Sequence, residues 1–333
     1  MKFIKGMDIS MVKELEHYGA SYRLNGKKED LFAILKTCGA NNVRIRIWPD
    51  PYDENGNSYG GGGNDLETTI EIAERTVQSG MDFMLDFHYS DFWADPAKQV
   101  KPKAWKELSG EALETAVYLH TVDTLKALKN HKLVPTMVQV GNEITNGMLD
   151  IMPDHSKGET YKDTWGNAKN AKILCGYLKA GIKAVRECTP KALVTLHLES
   201  MGYGKCSEIM NAWEQNGVDY DVFGSSFYQF WQGNSSKNAL AGLQKIENLA
   251  KSRGKMYAVM ETSWLNSLKD ADGTPNVIGE GHANAKVYSD DPQGQVDALT
   301  DMYQTLLSND NGLGAFYWEG AWIPVKAGWT NWK

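Results

Sequence analysis

Short runs of apolar and β-branched residues recur along the chain, and each is followed by a stretch with the spacing of a helix. The runs are nearly continuous in apolar character, which is typical of parallel strands covered on both faces. The predicted strands span residues 3–9, 42–48, 81–88, 134–142, 192–198, 220–228, 255–261 and 312–319. Strands that alternate with helices in this way predict an α/β fold with a parallel sheet.

The segments between the strands place apolar residues three and four positions apart, on one side of a helix. The predicted faces are Leu31, Leu35 and Cys38; Leu66, Ile70, Ala73 and Val77; Leu240, Leu243, Ile246 and Ala250; and Val296, Leu299, Tyr303 and Leu306. Strands and helices in this number predict a (β/α)8 TIM barrel. An open doubly wound sheet is the alternative, but no GxGxxG turn follows the first predicted strand.

The predicted connections differ in length at the two ends of the barrel. Helix-to-strand connections are short, whereas the strand-to-helix connections 49–64, 89–109, 144–163 and 262–291 are long. Barrel enzymes build their active sites from the latter set. A glycine run at 60–63 lacks the Lys-Ser/Thr of a phosphate loop, so we interpret it as a flexible loop. The residues after 319 are too few for a full eighth helix, and we predict one barrel domain over residues 1–333.

The composition excludes several classes of partner. Apolar residues make up 42% of the chain, enough for a large core. The formal charge is −7 and no basic stripe is present, so we expect no nucleic-acid partner. No apolar run is long enough to cross a bilayer, so we expect no membrane partner. The 11 tryptophans are unusual, and many lie near Gly, Asp or Pro, where aromatic faces could stack on sugar rings.

The N-terminal segment and the cysteines bear on the compartment. Asp8 interrupts the apolar stretch where a secretory signal would continue. We therefore expect a cytoplasmic protein, or a secreted one whose signal has been removed. None of the 4 cysteines forms a CxxC pair, which argues against a zinc site.

Polar residues cluster at the C-terminal ends of the predicted strands, where a barrel core prefers Val, Ile and Leu. They are Arg44 and Arg46, His88, Asn142 and Glu143, His197 and Glu199, Tyr228, Glu261, and Trp318 and Glu319. A carboxylate buried there costs several kcal/mol unless it is paired or hydrogen-bonded. Glu143 and Glu261, at the ends of the fourth and seventh strands, therefore need a functional or structural reason.

Two opposed carboxylates suit the hydrolysis of glycosidic bonds. We predict that strands four and seven lie on opposite sides of the barrel, so that their Glu side chains approach to about 5–5.5 Å, as in retaining glycosidases. Repulsion and burial would raise one pKa and so create the acid. Arg46 and Tyr228 are predicted to hold the other carboxyl ionised. A purely structural salt-bridge cluster is the alternative.

Five segments carry a resemblance to a known family. They are residues 5–10 (KGMDIS), 43–48 (VRIRIW), 85–96 (LDFHYSDFWADP), 139–144 (QVGNEI) and 316–324 (FYWEGAWIP). Together they closely resemble the endo-β-1,4-galactanases of glycoside hydrolase family 53, in clan A of the retaining barrel enzymes. The Asn-Glu pair marks only the clan, whereas the long third-strand segment is specific to the family.

The resemblance implies endo-hydrolysis of β-1,4-galactosidic bonds in galactan or type I arabinogalactan, the pectin side chains, by a retaining double displacement. It implies Glu143 as acid/base and Glu261 as nucleophile, with no cofactor required for catalysis. It also implies a polysaccharide partner, and we expect a monomer. The implied substrate-binding residues are Asn142, Arg46, His88, Asp91, Trp93, His197, Tyr228, Trp318 and Glu319.

The chain departs from the family pattern at Gln229, Gly320 and Glu199, which leaves the details of the sugar subsites open. Asp270, Asp272 and Asn276 alternate with a Gly turn, a pattern that suits Ca²⁺. Bacterial members of the family carry a structural calcium in this loop, and a solvated polar turn is the alternative.

Two other functions remain open from the sequence. The chain could be another clan A endo-glycosidase, acting on β-1,4-glucan or mannan. It could also be a catalytically silent carbohydrate-binding barrel, although both Glu residues are present.

Overall fold

Eight parallel strands close into a barrel, as the alternation of apolar runs predicts. The computed structural model describes residues 2–199, 202–232, 235–269, 271, 273, 278 and 288–327. The barrel strands are β1 (Ile4–Asp8), β2 (Asn42–Ile47), β3 (Asp82–Phe87), β4 (Met137–Val140), β5 (Leu193–Leu198), β6 (Val222–Ser226), β7 (Met256–Thr262) and β8 (Gly312–Tyr317). Strand β1 pairs with both β8 and β2, and this pairing closes the barrel. The predicted fold is confirmed.

The interior of the barrel is filled by side chains and is not a pore. Ile4, Met84, Met260 and Phe316 belong to an apolar cluster inside the barrel. Gly6 in β1 leaves room for this packing, because a Cβ atom there would lie 2.3 Å from Cδ1 of Phe316. A second and larger cluster joins the strands to the surrounding helices.

Most of the described helices begin at a residue whose side chain caps the first turn. Asp65, for example, accepts a hydrogen bond from the backbone N–H of Thr68 at the start of its helix. The helices are α1 (Val12–His17), α2 (Leu31–Thr37), α3 (Leu66–Gln78), α4 (Gly110–Asn130), α5 (Tyr161–Thr164), α6 (Ala168–Cys188), α7 (Tyr203–Gln215), α8 (Ser236–Ser252) and α9 (Pro292–Leu307). Short 3-10 turns occur at Lys103–Trp105, Ile144–Asn146 and His155–Lys157, and an antiparallel hairpin pairs Tyr22–Leu24 with Lys27–Glu29.

The buried faces of some helices differ from the predicted ones. In α3 the predicted Val77 is 44% exposed, whereas Thr69 and Thr76 are fully buried. Thr76 can enter this core because its hydroxyl is satisfied within the helix: its Oγ1 donates to the carbonyl of Ile72 at 2.8 Å. A prediction that counts only apolar residues therefore places the buried face of this helix at the wrong angle around its axis. Val296 in α9 and Cys38 after α2, which were also predicted on buried faces, are exposed.

After β8 the described chain, up to Ala327, forms turns and no helix. This segment packs on the loops that follow β1. The Tyr22 hydroxyl donates to the carbonyl of Ala321 at 2.9 Å, and Trp322 Nε1 lies 3.0 Å from the sulfur of Met11. Among the described helices, none has the length and apolar character needed to cross a bilayer.

Candidate active site

Glu143 and Glu261 meet at the C-terminal mouth of the barrel. Glu143 follows β4 and Glu261 lies near the end of β7, and an oxygen of one lies within 4.8 Å of an oxygen of the other. Their strands are separated by β5 and β6, so they are not diametrically opposed as we predicted. The carboxyls still meet because both side chains point inward. This spacing agrees with the separation of about 5–5.5 Å used by enzymes that act by double displacement.

The backbone turns sharply where it delivers Glu143. Gly141 has a φ of 85°, and Glu143 itself lies in the left-handed region at φ 48° and ψ 47°. A residue with a Cβ atom pays roughly 1–3 kcal/mol for such a conformation, which persists only where the surroundings impose it. The turn aims the Glu143 carboxyl into the mouth instead of along the strand.

Glu261 is held by one cation and one hydroxyl. Arg44 Nη1 lies 3.0 Å from Oε1 of Glu261, and the Tyr228 hydroxyl donates to Oε2 at 2.9 Å. The prediction that Arg46 holds this carboxyl is therefore wrong. Arg46 lies two residues further along β2, one repeat nearer the mouth, where it pairs with Glu319 at the end of β8. It also donates to the carbonyl of Gly61 at 2.6 Å.

Arg44 organises the floor of the site. Its guanidinium donates to Asp8 Oδ2 at 3.0 Å, to Asp86 Oδ2 at 2.8 Å and to Asn142 Oδ1 at 2.8 Å. Burial works to raise the pKa of Asp86, but Arg44 together with His88 and His197 outweighs it and holds that pKa below its usual range. These acceptors pair with both terminal nitrogens of the buried arginine.

The two glutamates have different surroundings, and their pKa values respond. Burial and the neighbouring charge of Glu261 raise the pKa of Glu143 well above its usual range, whereas a hydrogen bond donated by the Ser226 hydroxyl would lower it. Burial also raises the pKa of Glu261, but Arg44 and the Tyr228 hydroxyl oppose that rise. When the pair carries one proton, these contacts favour placing it on Glu143.

A chain of hydrogen-bonding groups leads away from Glu143. Its Oε1 lies 2.6 Å from Ser226 Oγ, and that hydroxyl lies 2.9 Å from His197 Nε2. His197 Nδ1 lies 3.0 Å from Asn142 Oδ1. Burial and Arg44 lower the pKa of His197 well below its usual range, so the imidazole is neutral.

Aromatic residues line one side of the mouth. Trp93 and Trp318 are half-buried with ring centroids 6.1 Å apart, and the guanidinium carbon of Arg46 lies 4.0 Å from the ring centre of Trp93. The glycine run packs beneath them: a Cβ atom on Gly61 would lie 3.0 Å from Trp93 Nε1, and Gly61 has a φ of 66°. The run is thus a close-packed turn beside the two tryptophans, and its flexibility stays a prediction.

His88 and Asp91 hold loops in place. His88 Nδ1 accepts from the backbone N–H of Ala94 at 3.0 Å, and Nε2 lies 3.1 Å from Asp86 Oδ2. Asp91 accepts from the backbone N–H groups of Asp50 at 3.0 Å and Lys103 at 2.7 Å. Both side chains therefore tie together the long loops that carry Trp93, and a direct contact with substrate stays a prediction.

Glu319, predicted to bind substrate, is buried at the mouth of the barrel beside Arg46. It is buried, pairs with Arg46 and has a left-handed φ of 46°. Burial raises its pKa to about 8, although Arg46 opposes the rise.

Three residues that complete the site were absent from the predicted set: Asp8, Asp86 and Ser226. Arg44 was named at its strand end, but no role was predicted for it. Alternation along a strand could have found Asp86 and Ser226, because they stand two positions before His88 and Tyr228 and so share their faces. Trp231 was also missed, and it is 57% exposed with its ring 5.2 Å from that of Tyr228.

The proposed calcium ligands Asp270, Asp272 and Asn276 lie outside the described residues. Their prediction is therefore untested.

Comparisons with known proteins agree with this architecture. The family model described as glycosyl hydrolase family 53 matches residues 4–333. The chain is 42% identical to the endo-β-1,4-galactanase of Bacillus subtilis (strain 168), over 97% of this chain and 71% of that protein. It is 33% identical to the arabinogalactan endo-β-1,4-galactanase of Cellvibrio japonicus (strain Ueda107), over 97% and 82%. The solved Ignisphaera aggregans GH53 catalytic domain superposes with a TM-score of 0.88 at 37% identity, over 98% of this chain and 88% of that one.

Proposed function

Because the chain belongs to glycosyl hydrolase family 53, we propose that it hydrolyses internal β-1,4-galactosidic bonds of galactan and type I arabinogalactan by a retaining double displacement. The observation that carries the chemistry is the pair of buried carboxyls, Glu143 and Glu261, whose oxygens come within 4.8 Å of each other. This separation leaves too little room for the water that an inverting enzyme places between its carboxyls.

We propose that Glu261 is the nucleophile. Arg44 and Tyr228 favour its ionised form and fix both of its oxygens. In the first step an oxygen of Glu261 bonds to the anomeric carbon as the bond from that carbon to the leaving oxygen breaks. The proton on Glu143 passes to the leaving oxygen, so the departing sugar chain leaves as a neutral alcohol.

The second step uses the same groups in reverse. Once Glu261 is an ester it carries no charge, and the repulsion that raises the pKa of Glu143 disappears. Glu143 is then a carboxylate that can take a proton from water. The water oxygen bonds to the anomeric carbon, the ester bond to Glu261 breaks, and both carboxyls return to their starting states.

The substrate assignment is supported by the relatives, which are named as galactanases. Galactan differs from β-1,4-glucan and mannan in its axial 4-oxygen, so a cleft shaped for one chain fits the others poorly. We expect reducing ends to appear from β-1,4-galactan and not from β-1,4-glucan or β-1,4-mannan when the three are assayed side by side. Equal rates on glucan or mannan would contradict the assignment, and no product from any would favour a silent binding barrel.

The partner is a polysaccharide. We further propose that the enzyme works as a monomer, which light scattering after size-exclusion chromatography would check.

A further inference from the structure

The hydrogen-bond chain from Glu143 through Ser226 and His197 to Asn142 has a direction that can be worked out. Each member can donate or accept only certain bonds, and all four side chains are at least nine-tenths buried. Solvent is therefore a poor substitute for a missing partner. The direction of the bonds decides which protonation state of Glu143 the protein favours.

Arg44 fixes the far end of the chain. A guanidinium only donates, so the atoms of Asn142 and Gln139 that face Arg44 Nη2, at 2.8 and 3.4 Å, are their amide oxygens. The Asn142 amide nitrogen points the other way and donates to the carbonyl of Ala94 at 2.8 Å. Asn142 Oδ1 is thus an acceptor toward His197.

The amide hydrogens of Gln139 have three acceptors within reach. Its Nε2 lies 3.2 Å from the carbonyl oxygen of Gly141, 3.0 Å from Asn142 Oδ1 and 3.2 Å from His197 Nδ1, and two hydrogens cannot serve all three. His197 Nδ1 lies closer to Asn142 Oδ1, at 3.0 Å, and because that oxygen can only accept, a bare Nδ1 would place two lone pairs against each other. We therefore assign the hydrogen of His197 to Nδ1, which donates it to Asn142 Oδ1.

A neutral His197 with its hydrogen on Nδ1 has a bare lone pair on Nε2. The group within reach of that lone pair is the Ser226 hydroxyl, at 2.9 Å. If Ser226 donates its one hydrogen to His197, its oxygen can only accept from Glu143. That requires the carboxylic acid form of Glu143, with the hydrogen on Oε1.

We propose that Ser226 and His197 are positioning residues that stabilise the acid form of Glu143. The protonated carboxyl donates a hydrogen bond to Ser226, and Ser226 donates one to His197. The proposal rests on the assignment of Glu143 as the acid. The hydrogen-bond chain would raise the pKa of Glu143 in addition to the effects of burial and of the Glu261 charge. When Glu143 gives up its proton, Ser226 must turn its hydrogen from His197 toward the carboxylate, and His197 Nε2 loses its donor. The network is complete only when Glu143 is protonated.

Other charged groups face these residues and enter any titration. Glu143 is faced by Glu261 from β7, by Glu199 directly after β5, by Asp95 from the loop after β3 and by the Tyr228 hydroxyl. His197 is faced by Arg44, Asp86 and His88. Substitutions at Ser226 and His197 leave all of these charges in place, so a change in the pKa of Glu143 reports on the hydrogen-bond chain.

The test is the pKa of Glu143 itself, read from the δ-carbon in protein labelled with [13C]glutamate and assigned by its absence in Glu143→Gln. In Ser226→Ala the acid loses its acceptor, and we expect the pKa to fall by about one unit, the size of an ordinary hydrogen bond. The opposite bond direction makes the opposite prediction. A serine that donated to the carboxylate would lower the pKa, so removing it would raise the value and overturn the proposal, as would an unchanged pKa.

A second variant approaches the chain from its other end. In His197→Phe the Ser226 hydroxyl loses its acceptor and becomes free to donate to the Glu143 carboxylate, so the pKa should again fall. An unchanged or raised pKa would contradict the proposed direction. This variant also keeps the proposal testable if Ser226→Ala does not fold.

Two controls separate positioning from a general structural effect. Ser226→Thr keeps the hydroxyl and should restore the wild-type pKa. Ser225→Ala removes the neighbouring hydroxyl, which lies 2.5 Å from the Tyr257 hydroxyl, and should leave the pKa of Glu143 unchanged.

On galactan, the alkaline limb of the kcat/KM profile should move to lower pH in Ser226→Ala. If the wild-type protein failed to cleave galactan, the proposed function would be refuted. A fall in the pKa of Glu143 measured by NMR in Ser226→Ala would still support the hydrogen-bond chain.

Discussion

At the scale of single residues, the chemistry depends on making two neighbouring carboxyls unequal. Glu261 has a cation and a hydroxyl on its oxygens, whereas Glu143 has Ser226 and the negative charge of its partner. Burial acts on both carboxyls, so the difference between them comes from these contacts. Arg44 is central because one guanidinium serves Glu261, Asp8, Asp86 and Asn142.

The roles of the two glutamates can be separated with two substrates. Glu143→Gln cannot protonate a leaving group, so its rate on galactan should fall by roughly 10²–10⁴-fold. On an aryl β-galactobioside with an acidic phenol as leaving group, formation of the ester needs little acid help and a burst of phenol should persist. Glu261→Gln should show neither hydrolysis nor burst.

Circular dichroism of both variants is the control for folding. A folded Glu261→Gln protein that still releases phenol in a burst would remove Glu261 from the nucleophile's role.

Residue-scale chemistry was only partly readable in the sequence. Polar residues at strand ends pointed to the mouth of the barrel, and alternation placed Arg44 and Arg46 on one face of β2. Which of the two reaches Glu261 depends on the stagger between β2 and β7, which no single-strand pattern contains. Ser226 was missed because serines are common in strands. Its role depends on a hydrogen bond with His197, which lies on the adjacent strand.

At the scale of the elements, helix α8 carries a buried acid on the side of the barrel away from the catalytic mouth. Glu247 is fully buried, and its Oε2 accepts from Asn309 Nδ2 at 2.7 Å. Lys251, one turn further along α8, pairs with Asp310 at 2.6 Å and not with Glu247. Burial raises the pKa of Glu247 to about 7.

This raised pKa has a definite sign for stability. A carboxyl that binds its proton more tightly when folded favours the folded state at acid pH, and that contribution is lost as pH rises from 4.5 through about 7. Glu247→Gln should therefore raise the melting temperature at pH 8, by about 2 °C per kcal/mol of penalty removed, and change it little at pH 4.5. Exposed Glu107→Gln is the matched control. An equal shift at both pH values would show that charge is not the cause.

The calcium proposal belongs to the loop between β7 and α9 and rests on the sequence alone. If Asp270, Asp272 and Asn276 bind Ca²⁺, a hundredfold excess over the dissociation constant stabilises the native state by about 2.7 kcal/mol. EDTA should lower the melting temperature and added Ca²⁺ should restore it, whereas Mg²⁺ should do so poorly. Asp272→Ala should abolish the response to EDTA. A wild-type melting temperature that EDTA leaves unchanged would identify an ordinary polar turn.

The helices show why elements were predicted more reliably than their faces. Spacing located α3 and α9, because three- and four-residue periods need a helix whichever side is buried. The rotation of each helix was less certain, since Thr69 and Thr76 enter the core and Val77 does not. Whether a threonine is buried depends on the strands it meets, which the local sequence does not state.

At the scale of the whole molecule, the barrel brings distant segments to one place. Residues within or directly after all eight strands converge on the mouth, and the long loops after the strands add the aromatic wall. The order of elements sufficed to predict this convergence, because a closed parallel barrel places every strand's C-terminal end on the same side. Distances across the mouth required the structure.

The anomeric form of the first product from β-1,4-galactan tests the central claim most directly. Two displacements at one carbon restore its configuration, so proton NMR during the first minutes should show new reducing ends as the β-anomer, with the α-anomer growing only through mutarotation. Initial release of the α-anomer would contradict the account, because it would mean that water, and not Glu261, attacks the anomeric carbon.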